Sequence, residues 1–168
     1  MGNGPGGLKE YWEVIERHDS MVGGYIWEFC NHGVSYGGKT ERYGGDFGEK
    51  TNDANFCMDG LVYPDRTPHT GLKEYKNIYR PARVVSVNQE AGEVVLKNYM
   101  NFADLKDYVD FIYEINCDGK VVYQGKATLE ENILPFKQGV LKLELPVPEV
   151  GKCYLKLTYL QKHSTNML

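Results

Sequence analysis

The sequence predicts two architectures in one chain: an α/β segment over residues 1–80, followed by a mostly antiparallel β-sandwich over residues 81–168. Three observations carry this division. Fourteen of the 19 glycines lie within residues 1–71, so the character of the chain changes near its middle. Apolar residues recur at helical spacing in the first part. Beyond Tyr79-Arg80-Pro81, six runs rich in β-branched and aromatic residues follow within about 85 residues.

In the first part, Leu8, Tyr11, Trp12 and Ile15 stand at i, i+3, i+4 and i+7. That spacing places one apolar stripe on a helix of roughly three turns. Asp19 and Ser20 end the helix, and Val22–Phe29 then reads as a buried strand whose glycines permit close backbone approach. Residues 30–59 carry many glycines and polar side chains, a long irregular connection of the kind that usually holds function. After Leu61-Val62-Tyr63 and the proline-bounded 64–68, Leu72, Tyr75 and Tyr79 mark a second amphipathic helix. A proline following this pattern sets the boundary.

In the second part the expected strands are Ala82–Asn88, Glu93–Tyr99, Tyr108–Cys117, Lys120–Leu129, Val140–Leu145 and Cys153–Gln161. Asp118-Gly119 predicts a two-residue hairpin, because both turn positions need φ > 0 and these residues tolerate it. Alternation in 108–117 puts Val109, Phe111, Tyr113, Ile115 and Cys117 on one face, the expected core face.

Composition narrows the function. With 168 residues, 42% hydrophobic and 25% charged, the chain reads as a folded protein of about one domain, too small for a complete large enzyme. The 19 basic against 23 acidic residues give net charge −4, which argues against nucleic acid as a partner. No apolar run approaches the ~20 residues of a membrane span, and the start has neither a basic leader nor an apolar stretch, so a cytoplasmic protein is expected, with no membrane contact. The cysteines Cys30, Cys57, Cys117 and Cys153 form no CxxC pair and show no metal spacing with the four histidines, and are expected to be buried free thiols.

Glu28, Asp46, Asp53 and Asp59 are candidates for the paired carboxylates of glycoside cleavage, although the residue type alone is common. Neighbours on a strand face opposite sides, so Trp27 and Glu28 cannot share one cleft unless the strand is distorted. Trp27 could offer its ring to a sugar or could be a core residue. Residues 52–59 concentrate oxygen ligands suited to a hard cation, but Asn and Asp side chains also serve loop backbone in this way. Gly44–Gly48 lacks the GK[ST] ending of a phosphate loop. Arg66 and His69 could bind an anion or fill buried hydrogen-bonding roles.

The motifs Met1-Gly2-Asn3, Gly23-Gly24-Tyr25-Ile26-Trp27, Tyr43-Gly44-Gly45-Asp46-Phe47-Gly48, Asn52-Asp53, Phe56-Cys57-Met58, Gly60-Leu61-Val62 and Asp65-Arg66-Thr67-Pro68-His69, in this order, resemble the β-galactosidases of glycoside hydrolase family 2. The resemblance is dense over residues 1–80 and extends to 81–168 only as the sandwich that follows the catalytic barrel. It implies that the first part is the last quarter of a (β/α)₈ TIM barrel, and that the second is an immunoglobulin-like sandwich lacking its last strand.

The resemblance also implies a retaining β-galactosidase that hydrolyses terminal β-D-galactosides such as lactose through two glutamates. Both lie upstream of the matched segment, so no catalytic residue is assigned and the chain alone is expected to be inactive. Trp27 resembles the tryptophan that walls the galactose subsite. Phe56 resembles a residue whose carbonyl binds Na⁺, and Asn52 one associated with a secondary Mg²⁺ site. Asp59 stands where well-known members have an asparagine touching both Na⁺ and the sugar; a carboxylate binds the cation more strongly but donates no hydrogen bond to the sugar. The implied partners are a galactoside substrate, the remaining part of the enzyme, and further copies in a homo-oligomer. Alternatives are a non-catalytic sugar-binding or assembly module, and a complementing subunit of a split β-galactosidase.

Overall fold

The structure is a computed structural model that describes residues 4, 6–35 and 41–163. Met1-Gly2-Asn3, Gly37, Gly38 and Ser164-Thr165 lie outside the described residues. The chain divides into two compact units, residues 1–79 and 80–168.

The first unit opens with helix α1 (Leu8–Arg17). Glu10 in its first turn and Arg17 in its last complement the helix dipole. Trp12 meets Tyr79 edge-on at 4.2 Å between ring centroids. The bare Cα atoms of Gly23 and Gly24 lie beneath Trp12 and Ile15, where an added Cβ would make only ordinary contacts of 3.8 and 3.6 Å. Tyr11 is solvent-exposed despite its place in the apolar stripe. Two short strands, β1 (Val34–Ser35) and β2 (Glu41–Arg42), pair antiparallel. A 3₁₀ turn (Ala54–Cys57) and helix α2 (Thr70–Ile78) complete the unit.

The expected buried strand at 22–29 differs in the structure. Residues 21–27 form no strand and pair with none among the described residues. Val22, Tyr25, Trp27 and Phe29 are all exposed. Strand burial requires neighbours on both edges and both faces, and only residues 28–31 find a neighbour, on one side.

The second unit is a β-sandwich of two antiparallel three-stranded sheets, ordered β3-β4-β7 and β6-β5-β8. The strands are β3 (Ala82–Asn88), β4 (Glu93–Asn98), β5 (Val109–Cys117), β6 (Lys120–Ala127), β7 (Gln138–Lys142) and β8 (Cys153–Gln161). Six strands were expected and six are present among the described residues, two with the expected bounds and four with ends moved by a few residues. The turn Asp118-Gly119 has φ of 48° and 80°, the geometry a two-residue hairpin loop requires. Val109, Phe111, Tyr113, Ile115 and Cys117 are buried in strict alternation along β5. Val109, Phe111 and Tyr113 pack with Val94 and Leu96 of β4, Leu141 of β7, and Leu105, Leu129 and Ile133 from the connections.

The passage from one sheet to the other uses helix α3 (Leu105–Tyr108), a single turn that the β-rich reading of this region did not include. Its N-cap Asp104 accepts from Lys106 N at 2.9 Å and from Ile133 N at 3.0 Å. The expectation of four free thiols fails for two of them. Cys117 and Cys153 form a disulfide, while Cys30 and Cys57 are free. The bonded pair sits opposite one another at the end of the β5–β8 ladder, a register that local spacing in the sequence does not reveal. No helix among the described residues is long and apolar enough to cross a membrane.

Candidate functional site

The site is built where residues 28–31 run beside residues 59–62 in parallel. Glu28 N donates to Asp59 O at 3.3 Å, Leu61 N to Glu28 O at 2.9 Å, Val62 N to Phe29 O at 2.9 Å and Asn31 N to Val62 O at 3.0 Å. Gly60 makes this approach possible: a Cβ there would collide with the backbone of Cys30 and Asn31. Val62, buried, also bridges to Pro68 on its other side.

Asn31 is the polar centre of this arrangement, with only 4% of its surface exposed. Its Oδ1 accepts from Gly60 N at 2.8 Å, and its Nδ2 donates to Glu41 Oε2 at 3.1 Å. The same amide lies 3.3 Å from His69 Nε2, which as the partner of an amide N–H acts as acceptor. The His69 ring lies tilted by 43° against Tyr63, with 3.7 Å between ring centroids. Nearby, His32 N donates to Cys57 O at 3.0 Å, and the His32 ring meets the Glu28 carboxylate at 2.9 Å.

Trp27 and Glu28, joined by a cis peptide, part ways in environment. Trp27 is 74% exposed, whereas the Glu28 side chain keeps only 16% of its surface. In this chain Trp27 is therefore not a core residue, and Glu28 is occupied by His32. Asp59 lies across from them through the Glu28 N to Asp59 O bond. One oxygen of its carboxylate, Oδ1, is buried without a hydrogen-bond partner among the described residues. A buried, unsatisfied carboxylate oxygen is costly unless a cation meets it, so this atom suits a hard cation such as Na⁺.

Asn52 is used by its own loop: Oδ1 accepts from Ala54 N at 3.0 Å and Nδ2 donates to Glu49 O at 3.2 Å. One lone pair of Oδ1 is left for a cation or its water shell. Phe56 lies in the 3₁₀ turn with its ring exposed, which leaves its backbone as the part able to act as a ligand. Asp46 caps the loop by accepting from Tyr43 N at 2.9 Å. Asp53 accepts from Phe56 N through its carbonyl at 3.1 Å. Among the described residues, no three His, Cys, Asp or Glu side chains gather as a metal site would require.

Arg66 contacts Cys30 Sγ and donates to Pro64 O at 3.3 Å, and His69 joins Asn31, so both fill hydrogen-bonding roles within this unit. Asp65 accepts from the Thr67 hydroxyl and backbone, which hold its carboxyl below the usual range. Glu49, which the sequence reading passed over, draws N–H groups from Gly45 at 2.6 Å and Phe47 at 3.1 Å. Those bonds, Gly45 first, hold its carboxyl low as well.

The sequence reading also missed Asn31, Glu41 and Gly60 as a group. The usable signal was an asparagine directly after the apolar run 25–30, a position where burial demands that its amide be satisfied.

Comparison with known proteins places both units. Residues 1–84 match the family described as "Glycosyl hydrolases family 2, TIM barrel domain", and residues 94–168 match "Beta-galactosidase, domain 4". Both are glycoside hydrolase domains. The β-galactosidase of Actinobacillus pleuropneumoniae is 40% identical over 168 residues, which cover all of this chain and 16% of that protein. That of Staphylococcus xylosus is 46% identical over 113 residues, 65% of this chain and 11% of the relative. That of Priestia megaterium is 32% identical over 157 residues, 89% of this chain and 14% of the relative. The chain belongs to glycosyl hydrolase family 2. It spans less than a fifth of the length of the curated relatives it matches.

Proposed function

We propose that this chain is part of a retaining β-galactosidase that hydrolyses terminal β-D-galactosides such as lactose, and that it contributes binding groups to the active site, not the chemical ones. The observation that carries this reading is an exposed indole, Trp27, and the buried orphan oxygen of Asp59 on two segments that the backbone bond from Glu28 N to Asp59 O joins. An indole face suits the apolar face of a galactose ring, and a carboxylate oxygen suits a hard cation. In this reading Asp59 and the Phe56 carbonyl hold Na⁺, and Asn52 contributes to a Mg²⁺ site. A bound cation there would supply a fixed positive charge to orient sugar hydroxyls.

The first unit is, in this reading, the closing quarter of a TIM barrel, and the second an immunoglobulin-like sandwich. The two catalytic glutamates come from upstream polypeptide, and the isolated chain is inactive. The site of action is the cytoplasm. A second reading is favoured by the apolar side chains exposed along residues 22–29: the chain is a complementing subunit that a companion polypeptide covers.

The test is hydrolysis of a chromogenic aryl β-galactoside with Na⁺ and Mg²⁺ present. The purified chain is expected to show none, and mixing with a polypeptide carrying the upstream part of the barrel is expected to restore it. Hydrolysis by the chain alone that disappears in Glu28→Gln would overturn the reading and assign chemistry to Glu28.

A further inference from the structure

We propose that Asn31 is a positioning residue for the Asp59 carboxylate, an inference that rests on reading Asp59 as a cation ligand. The peptide unit between Asp59 and Gly60 is gripped at both edges. Its carbonyl oxygen accepts from Glu28 N at 3.3 Å, and its N–H donates to Asn31 Oδ1 at 2.8 Å. A peptide plane fixed on both sides has no freedom to rotate, and the Asp59 Cα, which lies in that plane, is held in place with it.

The two grips differ in kind. Glu28 N is part of the parallel backbone pairing, while the Asn31 bond depends on a side chain and can be removed by mutation. Asn31 is itself locked: its backbone N–H is used by Val62 O, and its amide is aimed by Glu41 Oε2 and His69 Nε2. Because Nδ2 must face these two acceptors, Oδ1 must face Gly60. The contact also needs glycine at 60, where any Cβ would push the two segments apart. Glu41, His69 and Gly60 thus converge on one outcome, a fixed seat for the Cα that carries the Asp59 carboxylate. Loss of that seat should weaken cation binding without removing a ligand.

Calcium serves as the probe, since a divalent hard cation binds a carboxylate oxygen more tightly than sodium does. The ¹⁵N-labelled full chain is titrated with CaCl₂ at constant ionic strength, following the amides of Asp59 and Gly60. The wild type is expected to show a saturable shift at both. Asn31→Ala should raise the midpoint at least ten-fold, with the amides of residues 70–78 still dispersed, and Asn31→Asp/Glu41→Gln, which keeps the acceptor for Gly60 N–H and exchanges donor and acceptor between residues 31 and 41, should stay within three-fold of wild type. A midpoint for Asn31→Ala within two-fold of wild type overturns the inference, as does an Asn31→Asp/Glu41→Gln variant that fails as badly as Asn31→Ala.

Amide hydrogen exchange keeps the question decidable if Asn31→Ala unfolds the first unit. Gly60 in the wild-type chain must exchange at least ten-fold slower than the amides of the exposed residues Glu49 and Lys50, and an unprotected Gly60 sinks the inference by itself. Absence of a saturable shift in wild type, or an Asp59→Ala variant that titrates like wild type, rejects the cation reading, while Gly60 protection reports separately on the Asn31 bond.

Discussion

The Tyr113 ring covers Gly125, its direct partner across the β5–β6 ladder, so closely that a Cβ at 125 would stand 2.6 Å from Cε1, Cζ and the hydroxyl oxygen. The same hydroxyl accepts from Glu144 N at 3.2 Å, and Tyr123 closes the group by donating to Glu144 Oε2 at 2.6 Å. Glycine here is a packing requirement, since the ring occupies the space of the missing side chain.

Gly125→Ala is therefore expected to destabilise the sandwich by about 2 kcal/mol, because the ring must move and the Glu144 bond lengthens. Urea unfolding followed by far-UV circular dichroism measures this. A change within about 0.5 kcal/mol of wild type would show that Tyr113 has room to yield.

Asn98 is the corresponding keystone among the loops of the sandwich. It is fully buried, donates to Ala103 O at 2.9 Å and Ile133 O at 2.8 Å, and accepts from Met100 N at 2.8 Å. Asn98→Ala orphans three backbone groups and should cost about 3 to 5 kcal/mol. The midpoint of the circular dichroism transition should fall accordingly. Tryptophan emission should respond less, because Trp12 and Trp27 both belong to the first unit.

The Cys117–Cys153 bond closes a separation of 36 residues. Loop closure of that length corresponds to about 4 kcal/mol of stabilisation. A thiol reductant should lower the melting temperature of the sandwich, and Cys117→Ser/Cys153→Ser should reproduce the loss and abolish the reductant's effect. Alkylation before reduction should label two thiols, Cys30 and Cys57; four labelled thiols would refute the pairing.

Two groups set limits in pH. Glu49 is held low by the Gly45 and Phe47 amides. A carboxyl lowered on folding stabilises above its unfolded value and loses that contribution as pH falls through the folded one. The 45–49 loop should therefore loosen below pH 4.5, seen as a shift of the Gly45 and Phe47 amides that Glu49→Gln removes. Tyr79 is pushed the other way, from 10.0 to about 12, by burial first and then by Tyr75 beside it. Its contribution is complete below pH 10 and disappears as pH rises toward 12. Tyrosinate absorbance and Trp12 emission should change together in that window, and Tyr79→Phe should uncouple them.

The parts of this fold that could be read in the sequence are those set by near neighbours. Helix α1 follows from its apolar spacing, β5 from alternation, and the 118–119 hairpin from two residues that accept positive φ. What escaped depends on remote partners. Val22–Phe29 has the composition of a buried strand, yet its burial needs flanking strands that no local pattern supplies. Cys117 finds Cys153 only once β8 has paired with β5 in a particular register. The candidate site divides in the same way. Trp27 and Asp59 belong to recognisable motifs, whereas Asn31, Glu41 and His69 come from segments 10 and 38 residues apart, and only the fold makes them one network.

The run from Val22 to Phe29 has a consequence for the life of the chain in a cell. Quality-control machinery grips short, exposed apolar stretches, and Val22, Tyr25, Trp27 and Phe29 stay exposed after the rest of the chain has folded. The run also leaves the ribosome before the sandwich is synthesised, so it is on view while the second unit is still being made. Abundance of this polypeptide should therefore follow how soon something shields these side chains, with holdase chaperones delaying its loss and proteases hastening it.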